Sequence, residues 1–473
     1  MIGWRTRCRI IRLRQRVPTY RVVMPFSSRQ LADVARIADP LLRLHALYAR
    51  VPGVAFGLRH GSDTVLLGGH GMADVASESP VDPATTSFRC ASITKTFTTT
   101  LIMGLAERGK LRLDDGVREW LPWTVSAVGS DLTIRHLLMH AGGVLRDGEN
   151  DWFTSLSNAD ELRREFGRGA TFTEPSVHFR YSNVAFSMLG EIAEHASGRT
   201  YGTLLRREVL TPLGLDDTYP DLVPAAYRKL ATGYFLGRPN EPTIEAGHFA
   251  ARAVAPAAGL VSTVPNLLEY LAAHFPGDQR LLGEYSKREM QRTQWLRDEE
   301  PHFGLGWMSW HVDGTKILGH SGGYPGFVTK VGFSPVEQLA GAVLTNANSP
   351  LAAESLNLLF HLAAQVKRRW ADAAATTKWH ARGTLAPFVG CYRIWGGDLL
   401  VVRVNGSLFL VDPKEPSPLS VAARLVPKGP RRFLIAEGDD FGHQGEIITF
   451  GVDRQGRIAT LKYGPSLLIK EPL

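Results

Sequence analysis

Ser92 and Lys95 stand three residues apart in Phe88-Arg-Cys-Ala-Ser-Ile-Thr-Lys-Thr-Phe97. On a helix, positions i and i+3 share a face, so the Lys95 amine can lie against the Ser92 hydroxyl and accept its proton. Ile93, Phe97, Leu101, Ile102 and Leu105 recur at helical spacing and Gly109 supplies a stop, which predicts a helix over 93–108 with Ser92 at its start. A helix N-terminus also presents backbone N–H groups to a developing oxyanion. Two later segments carry further polar groups. Phe179-Arg-Tyr-Ser-Asn-Val184 places Tyr181 and Asn183 on a loop leading into a second amphipathic helix, 184–196, where side chains can project into a cleft. Leu318-Gly-His-Ser-Gly-Gly323 ends one strand and begins the turn to the next. It offers His320 and Ser321 on a strand edge, and Gly322 and Gly323 let a substrate approach the backbone.

The elements that must hold these groups follow from hydrophobic periodicity. Residues 30–50 carry apolar positions at helical spacing, and Val54–Leu58 and Asp63–Leu67 read as two strands around His60-Gly61-Ser62. Loops and helices dominate 110–300, strands return over 303–346, and a helix spans 356–370. Strands at both ends with helices between predict one sheet whose halves come from distant segments. After a small, polar stretch at 371–384 the pattern is purely strand-like, with hairpins at Asn405-Gly406 and Asp453–Gly456, which predicts a small barrel or sandwich over 385–473. The expected division is a basic, disordered leader 1–29, a main domain 30–370, a linker 371–384 and a C-terminal β-domain 385–473.

Composition narrows the function classes. The chain has 473 residues, 44% hydrophobic and 21% charged, with no apolar run of about 18 residues or more, so a membrane-spanning helix is excluded. A formal charge of +8 suggests a nucleic-acid partner only if it is spread over a folded surface. Residues 1–32 hold eight arginines and no Lys, Asp or Glu, and 8 − 8 leaves a neutral body. The leader lacks the uninterrupted apolar stretch of a secretory signal, and three widely spaced cysteines fit neither a disulfide framework nor a zinc site. A cytoplasmic protein with a small-molecule or peptide substrate, no nucleic acid and no membrane is expected; oligomeric state is left open.

Ser-x-x-Lys, Tyr-x-Asn and His-Ser-Gly, in this order, resemble the three signatures of the serine β-lactamase and penicillin-binding-protein superfamily, in its class C and DD-carboxypeptidase-like branch. Gly109-Lys-Leu-Arg-Leu-Asp-Asp, Leu132-Thr-Ile-Arg-His-Leu-Leu-Met-His-Ala-Gly-Gly, Leu213-Gly-Leu-Asp-Asp-Thr, Pro256-Ala-Ala-Gly-Leu-Val-Ser-Thr and Gly304-Leu-Gly-Trp are similar to the family's connecting segments, over about residues 40–365. The resemblance implies an α+β fold: an antiparallel sheet flanked by helices, an all-helical subdomain, a cleft between them, and a C-terminal β-barrel-like appendage. It makes Ser92 the acylated nucleophile and Lys95 its general base. Tyr181 becomes a proton shuttle whose phenol is lowered, or its anion transiently stabilised, by nearby cations, Lys95 and His320, and Asn183 bonds the substrate amide and Lys95. The backbone N–H groups of Ser92 and Gly323 form the oxyanion hole, and His320, Ser321, Gly322 and Gly323 bind substrate. No metal or cofactor is implied. His320 stands where many β-lactamases have Lys, and a histidine mostly neutral at pH 7 attracts a substrate carboxylate weakly, which favours a peptide (D-amino-acid-type) or ester substrate.

Three other readings compete. Gly319-His-Ser-Gly-Gly323 fits the nucleophile elbow of α/β-hydrolases and would make Ser321 the nucleophile. That needs a helix directly after Ser321, where Tyr324–Phe333 reads as turn and strand, and a histidine downstream from among His361, His380 and His443. His136 and His140 have zinc-helix spacing, but Leu137 stands where the general-base Glu belongs, and packed or capping histidines are expected instead. A non-catalytic binding protein on the same fold is the third, and it does not require Ser92, Lys95, Tyr181 and His320 together.

Overall fold

Val54 pairs with Thr345 and His60 with Leu339, so the strand that opens the main sheet lies antiparallel beside one that arrives almost three hundred residues later. In the computed structural model, which describes residues 25–124, 129, 131–147, 158–167, 169–238, 241–376, 385–394, 397–437 and 443–472, this sheet has eight antiparallel strands. Their order is Ser79–Pro80, Asp63–Asp74, Gly53–His60, Leu339–Thr345, Phe327–Ser334, Thr315–Tyr324, Met308–Val312 and His302–Phe303. The two distant halves therefore meet at its centre, as the sequence predicts.

Alternation along the strands divides the core. Val54, Phe56, Leu58, Ile317 and Val343 face the helices Ser28–Tyr48 and Leu351–Thr376, while Ala55, Leu318, Val331, Phe333 and Leu344 face the helical side that carries Ser92. The Ser28–Tyr48 helix starts with a capping box between Ser27 and Gln30 and buries Leu31, Val34, Ile37, Leu41, Leu42 and Leu44, each contributing about 1.5–3 kcal/mol. It thus begins inside the segment expected as a disordered leader; residues 1–24 lie outside the described residues.

The helix carrying Lys95, Thr94–Glu107, departs from the one-faced amphipathic helix expected. Every residue from Thr94 to Leu105 is buried, because the helix runs between the sheet and the helical subdomain. Its threonines satisfy themselves locally: Thr96 donates to the Ile93 carbonyl at 2.9 Å, Thr99 to Lys95 at 2.8 Å and Thr100 to Thr96 at 3.0 Å. A polar position in this helix therefore marks a back-bonded hydroxyl, not a wet face.

The final helix runs Leu351–Thr376, past the boundary expected at residue 370; residues 377–384 of the expected linker lie outside the described residues. Beyond it, eight strands from Gly390–Ile394 to Ser466–Glu471 close into a barrel around Tyr392, Val401, Phe433, Ile435, Phe450 and Leu461. The barrel packs on the outer helices. Tyr48 donates to Asp398 at 2.5 Å, the Leu419 amide donates to Gln365 at 2.9 Å, and Arg369 donates to the Leu419 carbonyl at 2.8 Å. It therefore sits on the helix layer behind the sheet, across the sheet from Ser92, and does not cap the cleft.

Candidate active site

The turn before Ser92 is held against the sheet by its own backbone. Ala91 adopts φ +47°, a left-handed conformation that costs a residue with a side chain on the order of 1–3 kcal/mol. The preceding Cys90 carbonyl accepts from Thr329 at 3.2 Å and lies where a Cβ on Gly322 would come within 2.1 Å of it. Only glycine at 322 permits this approach. Ser92 then lies in the short 3-10 turn Ala91–Ile93 that leads into the Thr94–Glu107 helix.

Lys95 is fully buried and makes three contacts: Asn183 Oδ1 at 2.6 Å, the Ala257 carbonyl at 2.9 Å and Ser92 Oγ at 3.1 Å. Desolvation by burial holds its amine well below the ordinary lysine value; the Asp147 charge pulls it up and Arg146 pushes it down. A neutral amine has two N–H donors and one lone pair. Two contacts are carbonyl-type oxygens that can only accept, so they take both N–H groups and leave the lone pair for the third, the Ser92 hydroxyl.

Tyr181 lies on the loop before the Asn183–Ser197 helix, its ring 4.8 Å from the Lys95 amine and 4.4 Å from the His140 ring. Asn183, expected on the loop, is instead the first residue of that helix, whose N-cap is Ser182. The net shift of the Tyr181 phenol runs against the expected lowering by Lys95 and His320. Burial raises it above its ordinary value, and a hydrogen bond with Ser92 and the Arg146 charge only partly oppose this.

The His320 segment also differs from expectation. The strand does not end there but runs from Thr315 to Tyr324, and the turn falls at Pro325-Gly326. His320 and Gly322 share the face toward Ser92, while Ser321 and Gly323 alternate to the other. His320 is buried, bonds Ser321 O through Nδ1 at 2.6 Å and is pushed down to about 3 by desolvation, so it is neutral at any ordinary pH. A Cβ on Gly323 would meet nothing within 4 Å, which leaves open space beside its backbone. The structure thus gathers Ser92, Lys95, Tyr181, Asn183 and His320 around one point, with Gly322 beside the serine turn. The elbow reading of Ser321 fails, since an antiparallel strand and not a helix follows it, and His361 pairs with Asp313 at 3.0 Å. His443 lies in the barrel portion and His380 lies outside the described residues. His136 bonds Thr133 Oγ1 at 2.9 Å and Ser176 at 3.1 Å, His140 bonds the Ser182 amide at 3.1 Å, and among the described residues no cluster is placed to hold a metal.

The family model described as Beta-lactamase matches residues 37–365. The chain belongs to the beta-lactamase family. Among its relatives, a beta-lactamase of Escherichia coli (strain K12) is 23% identical over 68% of this chain and 90% of that protein. Penicillin-binding protein 4* of Bacillus subtilis (strain 168) is 27% identical over 57% of this chain and 62% of that protein. Among solved structures, the octameric penicillin-binding protein homologue from Pyrococcus abyssi matches with a TM-score of 0.62 and 22% identity, covering 92% of this chain and 99% of that one. D-amino acid amidase from Ochrobactrum anthropi SV3 in complex with D-phenylalanine matches with a TM-score of 0.63 and 24% identity, covering 71% of this chain and 99% of that one. These likenesses show the fold.

Two side chains outside the three motifs contact motif residues and escaped sequence reasoning, Lys330 on the sheet face away from Ser92 and Asp147 beside Asn183. Lys330, cross-strand from Ser321, donates to the Ser321 hydroxyl at 2.8 Å, stacks 4.2 Å over Trp310, and is pushed down to about 8 by burial. Register across the Pro325-Gly326 turn was the available signal. Asp147 accepts from Asn183 Nδ2 and, at 3.0 Å, from Arg146 Nε. It lies on a loop with no periodic signal to place it.

Proposed function

We propose that the protein is a serine hydrolase that cleaves a peptide bond of D-amino-acid type, or an ester, through an acyl-enzyme on Ser92. The observation that carries this reading is the Lys95 contact set, which leaves a neutral amine one lone pair and one serine hydroxyl to meet it. As Ser92 Oγ attacks the substrate carbonyl, its proton passes to Lys95 Nζ and the carbonyl oxygen becomes an oxyanion, held by the backbone N–H groups of Ser92 and Gly323. Collapse breaks the bond to the leaving group. Tyr181, a neutral phenol, donates its proton to that group and recovers one from the Lys95 ammonium. Water then adds to the acyl-enzyme, losing its proton along the same path, and releases the acid and Ser92.

The substrate side is read from charge. His320 supplies none, and the Lys330 ammonium lies with Ser321 on the sheet face away from Ser92, so a substrate that presents no carboxylate to a cation is favoured. The D-amino acid amidase and penicillin-binding-protein likenesses support testing D-aminoacyl amides and peptides first. The test is hydrolysis of D-aminoacyl p-nitroanilides and p-nitrophenyl esters by wild type, Ser92→Ala and Tyr181→Phe. Ser92→Ala loses both activities. Tyr181→Phe loses the anilide by about a hundredfold or more and the ester by far less, because a p-nitrophenolate leaves without a proton. Retained hydrolysis in Ser92→Ala contradicts the proposal.

A further inference from the structure

Asn183 reaches Lys95 with an amide whose two ends are nearly the same shape but of opposite hydrogen-bonding sense. With Oδ1 toward Lys95 it accepts one N–H of the amine at 2.6 Å. Turned over, it would present Nδ2–H instead. The Lys95 lone pair would then accept from the amide and no longer be free for Ser92, and one lysine N–H would lose its acceptor. Something must hold the amide the productive way round. Its other end donates to the Asp147 carboxylate, an acceptor that admits only the Nδ2 end.

We infer that Asp147 is a positioning residue: by fixing the Asn183 amide it keeps the Lys95 lone pair aimed at Ser92 Oγ. The inference rests on the hydrolase reading above and adds to it a fourth group behind the base. Both Asp147 oxygens are already engaged inside the protein, Oδ1 by Asn183 and Oδ2 by Arg146 Nε at 3.0 Å, and this favours orientation over direct capture of a substrate amine. Arg146 is itself 65% exposed at the outer end, so the chain runs from solvent through Asp147, Asn183 and Lys95 to Ser92. Asp147 touches neither Ser92 nor Lys95 directly among the contacts described; its charge raises the Lys95 amine through space, and its orienting effect passes through the amide.

The experiment is a double-mutant cycle read by the second-order rate of fluorophosphonate labelling of Ser92 in the full chain, with kcat and KM on a neutral ester alongside. Asp147→Ala slows labelling by about ten- to a hundredfold, the loss expected for one charge-assisted hydrogen bond, lowering kcat while KM moves less than about twofold. In an Asn183→Ala background the same substitution changes nothing further, and Asp147→Glu restores part of the rate. Thermal midpoints are recorded for each variant; should Asp147→Ala not fold, the isosteric Asp147→Asn takes its place and gives a smaller slowing, since its own amide can turn either way. An undiminished rate in Asp147→Ala, an equal loss in the Asn183→Ala background, or a KM increase confined to substrates with a free amine overturns the inference while leaving the hydrolase reading intact. A wild type that takes no label removes both.

Discussion

His320 fills the buried position facing Lys95 without a charge, while the charged Lys330, on the Ser321 hydroxyl and over Trp310, lies on the sheet face away from Ser92. This placement has a pH consequence. The Lys330 amine, pushed down to about 8 by burial, loses its charge on the far face of the sheet, so preference between a carboxylate-bearing substrate and its neutral ester is unchanged as pH rises through about 8. His320, already neutral, adds no step near 6.5. The ratio of kcat/KM for the two substrates between pH 6 and 10 checks this, and a ratio that falls through about 8 contradicts it. Lys330→Met is accordingly expected to leave KM for both substrates unchanged. At this scale Ser92, Lys95, Tyr181, Asn183 and His320 were legible because their spacings are local. Lys330 and Asp147 were not, since each acts on a partner brought near by tertiary pairing.

The serine turn shows how elements position the site. Its Cys90 carbonyl is pinned between Thr329 and the bare Gly322 backbone, so the strand that flanks the substrate also fixes the nucleophile's approach. Gly322→Ala sets a methyl about 2.1 Å from that carbonyl and forces the turn or the strand to move. A stability loss of about 1–3 kcal/mol and a fall in kcat of at least about tenfold are expected, measured by denaturant unfolding and ester hydrolysis. Full activity in this variant would mean the turn is not held there. Most elements were readable: the first helix, the first hairpin and the two C-terminal hairpins follow from period and turn residues. The strand through Gly323 was not, because glycines that usually mark a turn here serve a close backbone approach. Nor was the full burial of the Thr94–Glu107 helix, since threonine read as polar is back-bonded.

Over the whole molecule, the barrel and the main domain are joined by contacts between residues more than three hundred positions apart, as in Tyr48 with Asp398. Asp33 is the centre of this seam. Buried at 5% exposure, its carboxylate accepts from Arg36 at 2.7 Å, Trp370 Nε1 at 3.2 Å and the Asn405 amide at 2.9 Å. Asp33→Ala leaves the half-buried Trp370 and Asn405 donors unpaired and is expected to cost about 1–3 kcal/mol, seen as a lowered thermal midpoint, with kcat unchanged because the seam lies across the sheet from Ser92. A variant that lost activity but not stability would instead couple the barrel to the cleft. The barrel itself was legible from alternation and tight turns; its docking place was not, because side-chain-to-backbone contacts across that separation leave no pattern in the sequence.

The central claim is that Ser92 becomes covalently acylated. Intact-protein mass spectrometry after exposure to a fluorophosphonate, and separately to a penicillin, on wild type, Ser92→Ala and Ser321→Ala tests it most directly. The account predicts a fluorophosphonate adduct on wild type and Ser321→Ala and none on Ser92→Ala, with penicillin labelling deciding whether peptidoglycan-like peptides precede esters as substrates. An adduct that persists on Ser92→Ala and disappears with Ser321→Ala would contradict it.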